Sequence, residues 1–228
     1  MPTLKNFVAI DWRAGPDRIY FFFKDTDTYT RFDIGDKTVP SKYPTSVKGN
    51  WGGFEQHVKD LRFGFTTTSL GLFDDQDTSW LFYYDGNTPM VCEYDQDLDA
   101  VAGKYKVVNS MWAPILPYFD QIVAGTWWQI SGYPSLFRFL LNDGHYLSFN
   151  YATKKLTRSA ITYNSMRGLE PYKDRIITAA QNDRTFADSF WYIFLTNNQF
   201  LIYNIQSGGV VGGLRNVNDA TWPGLLRG

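Results

Sequence analysis

The residues best suited to chemistry fall into four short clusters. They are Asp11-Trp12-Arg13, Thr66-Thr67-Thr68, Thr126-Trp127-Trp128-Gln129 and Gln181-Asn182-Asp183-Arg184. Together they supply three indoles, two guanidiniums, several hydroxyls and several amides. Such a mixture suits a small ligand with a flat apolar face and a few polar handles. Arg13 and Arg184 could each grip a carboxylate or phosphate bidentately. Asp11 beside Trp12 is the one carboxylate–aromatic pair that a cation would find. The competing reading is that the tryptophans are packing residues and the polar groups are solvated loop. Asp11, Trp12, Arg13, Thr67, Trp127, Trp128, Gln129, Gln181, Asn182 and Arg184 are therefore the candidate ligand-binding residues.

Other chemistries find little support. There is no G-x-S-x-G, no phosphate loop and no G-x-G-x-x-G. The Gly-rich Ser207–Gly213 segment reads as a connection. The single Cys92 lies in the apolar run "MVCEY", where a small buried hydrophobe is expected rather than a nucleophile. Zinc-type clusters are absent. The two histidines, His57 and His145, fall in different settings, which disfavours haem. The acid pairs Asp74-Asp75 and Asp95-Asp97 read as turn residues. A carboxylate pair for glycoside hydrolysis has nothing further to support it. An enzyme is thus not indicated, and no catalytic residue is assigned.

Composition narrows the class. Net charge is −1 with no basic block, which argues against nucleic acid as a partner. No apolar stretch approaches the roughly 18 residues needed to span a bilayer. The opening "MPTLKNFVAIDW" lacks a basic-then-apolar leader. As written, the sequence reads as soluble and cytoplasmic, as a monomer or homodimer; a removed leader would leave no trace. Aromatics reach 18%, which favours half-buried pleated surfaces.

The elements that must position these clusters are repeated. "RIYFFFKDTDTYTRFD" from Arg18, "SWLFYYDGNTPMVCEYD" from Ser79, "LFRFLLNDGHYLSFN" from Leu136 and "FWYIFLTNNQFLIYN" from Phe190 each read as a hairpin. Their turns carry Asp, Asn or Gly, which tolerate the positive φ of tight hairpins. After the hairpins come "NWGGFEQHVKDLRFGF", "SMWAPILPYFDQIVAG", "SMRGLEPYKDRIITAA" and "ATWPGLLRG". Three of these show a short helical turn, an Asp (Asp60, Asp120, Asp174) and then a compact strand. The chain start "NFVAID" supplies the fourth such strand. Copies recur about every 54 to 60 residues, close to a propeller blade. The expectation is an all-β, four-bladed propeller with short helices between blades, spanning 1–228 as one unit. The blades run approximately 6–60, 61–120, 121–174 and 175–228. Phe21, Phe22, Tyr83, Phe139 and Phe194 would fill the space between blades. The four clusters would lie at the ends of the inner strands, at one mouth of the central channel.

The "YFF" strand, the "Y-x-R-F-D" strand and "TWPGLL" at 221–226 resemble the hemopexin-type four-bladed propellers, including plant albumin members. "NWGGF" at 50–54 is a weaker match. The resemblance spans the chain. It implies a channel ion such as calcium, held by inner-strand carbonyls at Ala9, Gly64, Ala124 and Thr178. The family's usual inner-strand acid is apolar in all four copies, and one cysteine cannot form the family's closing disulfide. Closure must then rest on packing. The function expected is non-enzymatic binding of a small molecule at the mouth. The alternatives are a carbohydrate-binding, lectin-like protein, an enzyme that positions a reactive substrate for cyclisation in the same pocket, and a protein-interaction propeller. Trp12, Trp80, Trp127 and Trp191 fall in differing registers, which counts against four equal lectin sites.

Overall fold

The computed structural model describes residues 4–68, 76–130, 132, 134–184 and 188–227; of 183, 184 and 188 only the backbone is described. Asp74 and Asp75 lie outside them. The described residues form four antiparallel four-stranded sheets, each made from one uninterrupted stretch of chain. The first sheet is β1 (Phe7–Trp12), β2 (Arg18–Phe23), β3 (Thr28–Asp33) and the two-residue β4 (Thr45–Ser46). The second is β5 (Leu61–Thr68), β6 (Asp77–Asp85), β7 (Thr88–Asp95) and β8 (Ala100–Lys106). The third is β9 (Ile122–Trp127), β10 (Leu136–Leu141), β11 (His145–Asn150) and β12 (Lys155–Ala160). The fourth is β13 (Ile176–Arg184), β14 (Asp188–Leu195), β15 (Gln199–Asn204) and β16 (Gly209–Asn216). This is a four-bladed β-propeller in which β1, β5, β9 and β13 line the axis.

The hairpins form where the turn chemistry allows. Asp27, Gly86, Gly144, Asn197 and Asn198 all take positive φ, as Asp, Asn and Gly can at little steric cost. The inner strands approach closely. A Cβ on Gly64 would sit 2.7 Å from Ile10 Cδ1, and one on Gly125 would sit 2.8 Å from Phe65 Cδ1. Small residues here let neighbouring blades interdigitate.

Between blades, one turn repeats. Trp51, Trp112, Met166 and Trp222 each open it, and the carbonyl of each accepts the N–H of the residue three further on: Phe54 (2.9 Å), Ile115 (3.0 Å), Leu169 (3.1 Å) and Leu225 (3.0 Å). All eight side chains are buried. Trp51 packs on Phe22, Tyr20 and Tyr94 at 4.8, 5.1 and 5.2 Å between ring centroids. Trp112 packs on Phe137, Phe65 and Trp80 at 5.0, 5.2 and 5.4 Å. Trp222 packs on Phe32, Phe194 and Tyr192 at 4.6, 5.2 and 5.3 Å. Edge-to-face and tilted contacts at these distances are the favoured aromatic geometries. In the third interface Met166 stands in that position, and Trp128 from the channel mouth packs in the same apolar cluster.

The ring closes between the fourth and first blades by such packing. Phe194 meets Phe21 at 5.3 Å and Phe7 at 5.8 Å. Leu4 N–H donates to Asn198 Oδ1 at 2.7 Å, Val39 N–H to Pro223 O at 2.9 Å and Ala9 N–H to Thr178 Oγ1 at 3.1 Å. Phe21, Phe22, Tyr83, Phe139 and Phe194 are all buried. Among the described residues, no helix is long and apolar enough to cross a membrane.

Candidate functional site

The ends of the inner strands converge, and their polar groups bond mainly to one another. Asp11 Oδ1 accepts Thr66 N–H at 3.2 Å, while Oδ2 pairs with Arg13 Nε at 3.3 Å. Arg13 Nη2 donates to Gln129 Oε1 at 3.3 Å, which also accepts Gln181 Nε2 at 2.9 Å. Gln181 Oε1 accepts the Thr126 hydroxyl. Gln96, buried beside this chain of bonds, accepts Arg13 N–H at 2.8 Å and donates to Thr66 Oγ1 at 2.9 Å and Ser79 Oγ at 2.6 Å. One belt thus joins all four inner strands. Burial pushes the Asp11 carboxyl up, against the opposing pull of the Arg13 charge.

The candidate residues separate on this geometry. Asp11, Arg13, Gln129 and Gln181 are brought together. Thr67 is buried and accepts Trp80 Nε1 at 2.9 Å. Trp127 stays half-buried at the mouth, with the Arg13 guanidinium 5.7 Å from its ring. Trp12 and Trp128 turn away into the blade interfaces, where Trp12 meets Tyr20 at 5.2 Å and Trp128 lies under the Arg138 guanidinium at 4.0 Å. Asn182 is buried, and neither of its amide atoms has a hydrogen-bond partner among the described residues. Arg184 ends β13, and its side chain lies outside the described residues. At the inner-strand positions, the Thr178 hydroxyl is taken by Ala9 N–H and the space at Gly64 is filled by Ile10. Ala9 and Ala124 are buried. Small size there serves strand packing. Elsewhere, Cys92 is buried and its thiol is pushed up to about 12. His57 packs at a tilt on Tyr83 at 4.5 Å, and His145 pairs with Asp143 at 3.1 Å in a different blade.

Beside the mouth, a cleft of about 520 Å³ opens between the first two blades. Trp12, Trp51, Tyr20 and Tyr29 form its buried aromatic depth. Arg18, Arg31, Lys42 and Tyr43 line the first-blade side, and Gln96, Asp97 and Asp99 the second. Asp33 anchors the cations: it lies 2.9 Å from Arg31 Nε and 3.5 Å from Arg18 Nε. The Arg31 guanidinium and the Lys42 ammonium lie 5.6 and 5.4 Å from the Tyr43 ring. Burial, then the neighbouring Tyr43 hydroxyl, pushes the Tyr29 phenol above its ordinary range.

A second cleft, of about 310 Å³, occupies the equivalent place between the fourth and first blades. The strand registers establish the match. Tyr20 faces Arg31 and Phe22 faces Tyr29; Tyr192 faces Ile202 and Phe194 faces Phe200. Trp222 stands for Trp51. On the far wall Ile34 and Lys37 stand for Gln96 and Asp99, and Lys37 and Asp99 share a positive φ of 52° and 50°. A third cleft, of about 430 Å³ and lined by Leu4, Phe23, Pro44 and Leu225 among others, lies near the two ends of the chain.

The first cleft was not found from sequence, because its residues are scattered from Trp12 to Asp99. A signal was available in the repeated turns, where Trp51-x-x-Phe54, Trp112-x-x-Ile115, Met166-x-x-Leu169 and Trp222-x-x-Leu225 align. The tryptophans that repeat are these, rather than Trp12, Trp80, Trp127 and Trp191.

No protein-family model matches the chain, and no curated protein matches it. Among solved structures it is similar to the crystal structure of BBS1N in complex with ARL6DN, soaked with lead, at 9% identity and a TM-score of 0.34. That match covers 96% of this chain and 58% of the other. It is also similar to apo AztD from Citrobacter koseri, at 7% identity and a TM-score of 0.30, over 92% of this chain and 46% of that one. The chain spans about half the length of the structures it matches, and neither likeness carries a functional argument. What the strand order establishes is a four-bladed β-propeller.

Proposed function

We propose that this chain is a non-enzymatic, small-molecule-binding propeller whose ligand occupies the cleft between the first two blades, beside the channel mouth. The observation that carries this reading is the roughly 520 Å³ cleft, with buried aromatics at its depth and charged groups on both walls. Its size lies in the range of ligand pockets, and its lining is predominantly polar, with the charged groups converging on one space. The mouth itself is a weaker candidate, because Asp11, Arg13, Gln129 and Gln181 largely satisfy one another. Trp127 and Asn182 are the mouth residues with most left to offer. A hemopexin-type relationship is part of the same reading. Four contiguous blades and the Trp-Pro-Gly-Leu turn at 222–225 support it.

The test is calorimetric titration of the purified protein with a panel of simple sugars, aromatic acids, amino acids, spermine and haem. Three proteins are compared: wild type, Asn50→Trp and Trp127→Ala. Asn50 is exposed at the cleft rim, so a bulky ring there blocks the cleft without touching the core. Saturable binding that weakens at least about tenfold in Asn50→Trp alone supports the cleft. Loss in Trp127→Ala alone would move the site to the mouth. No binding of any panel member would remove the reading.

A further inference from the structure

We propose that the ligand of this cleft is a ring-bearing zwitterion of amino-acid size, carboxylate toward the first blade and ammonium toward the second. The inference rests on the cleft being the binding site. Its two walls carry opposite charge. Arg18, Arg31 and Lys42 all come from the first blade, with Asp33 as the single carboxylate bonded to the two arginines. Asp97 and Asp99 come from the turn after β7. Asp99 Oδ1 accepts the Tyr94 hydroxyl at 2.8 Å, and Asp97 Oδ2 accepts Asp77 N–H at 3.3 Å. These bonds fix both carboxylates in place, and neither makes an ion pair among the described residues.

A ligand must suit both walls at once. Asp33 already takes the Nε and Nη2 edge of Arg31, at 2.9 and 3.0 Å, so a ligand carboxylate would meet the remaining guanidinium hydrogens and the Lys42 ammonium, and an ammonium can meet the two aspartates. A simple anion would meet the acidic wall and a simple cation the basic one. Each mismatch leaves a charge repelled or desolvated, so specificity comes from exclusion as much as from attraction. The ring belongs on Tyr43 and Tyr20. The equivalent cleft at Trp222 is a built-in control. There Ile202 replaces Arg31 and Lys37 replaces Asp99, so the opposed charges are missing.

Three probes separate the contributions: L-phenylalanine, phenylacetate and 2-phenylethylamine, titrated into wild type, Arg31→Gln, Asp99→Asn and Asn50→Trp. Circular dichroism confirms that each variant is folded. Asn suits the positive φ at position 99, and Arg18 remains beside Asp33 in Arg31→Gln. L-Phenylalanine is expected to bind about tenfold more tightly than either probe lacking one charge. Arg31→Gln should weaken phenylalanine and phenylacetate but spare the amine, and Asp99→Asn should do the reverse. If phenylacetate or the amine matches phenylalanine, or if no probe binds up to about 10 mM, the zwitterion class is wrong. If phenylalanine binds equally well to Asn50→Trp, the site lies elsewhere and the underlying reading fails with it. Binding of a sugar that Asn50→Trp abolishes, with phenylalanine silent, would keep the site and overturn its ligand class.

Discussion

The clefts at Trp51 and Trp222 occupy the same place in two blade interfaces and have opposite characters. At Trp51, Arg31, Tyr29, Gln96 and Asp99 make a polar, charge-divided space. At Trp222, Ile202, Phe200, Ile34 and Lys37 stand in those positions, and the tryptophan also touches Phe21 and Phe32 of the first blade at 5.8 and 4.6 Å. The backbone groove comes with the repeat; its chemistry comes from side-chain exchanges such as these. The copy at Trp222 lies at the seam that closes the ring, and the copy at Trp51 is the proposed ligand site.

The largest expected difference is in stability. Trp222→Ala and Trp51→Ala each remove a buried indole, a change that typically costs about 3–5 kcal/mol. Trp222 also holds the seam, so its loss should cost the more of the two in urea unfolding. A larger loss for Trp51→Ala would mean that the seam depends chiefly on Phe7, Phe21 and Phe194. A smaller difference concerns Tyr29 and its counterpart Phe200. The folded-state pKa of Tyr29 lies above its ordinary value of 10.0, chiefly through burial and then through Tyr43. The stability this contributes is full below pH 10 and is lost as pH rises further. Tyr29→Phe should keep the packing and flatten that alkaline loss, read as urea midpoints at about pH 8 and about pH 11. Equal slopes for the two proteins would show that the other buried tyrosines dominate. The smallest effect is local. Lys37 takes a left-handed conformation that a lysine adopts at a cost, so Lys37→Gly should gain about 0.5–1 kcal/mol. Asp99→Gly, at the matching position, should gain nothing, because aspartate tolerates that conformation and its carboxylate accepts the buried Tyr94 hydroxyl. A larger gain at Asp99 would break the equivalence of the two walls.

The fold was legible because each hairpin states its own turn and each inner strand is compact. Asp27, Gly86, Gly144 and Asn197 sit where the turns demand them, and the four copies agree. The site was harder to read. Convergence of the inner-strand ends follows from topology, so Asp11, Arg13, Gln129 and Gln181 could be placed together from sequence. Their bonding to one another depends on side-chain lengths across blades, which periodicity does not encode. Trp12 and Trp128 left the mouth for a related reason. A large ring at a strand end goes where a neighbouring blade has space: Trp12 packs on Trp51 at 5.8 Å, and Trp128 packs in the cluster that holds Met166. The cleft at Trp51 joins residues separated by most of two blades, and only the packing of those blades reveals it.

Among the described residues, each blade is one unbroken stretch of chain, with no strand lent across the seam. The ring therefore has no topologically privileged point of entry. Leu4 bonds to Asn198 and packs in the same apolar cluster as Leu225, so the two ends of the described chain meet at one blade interface. A cut at the turn between any two blades would leave every sheet intact. Whole blades are thus the units in which such a ring can be cut or duplicated.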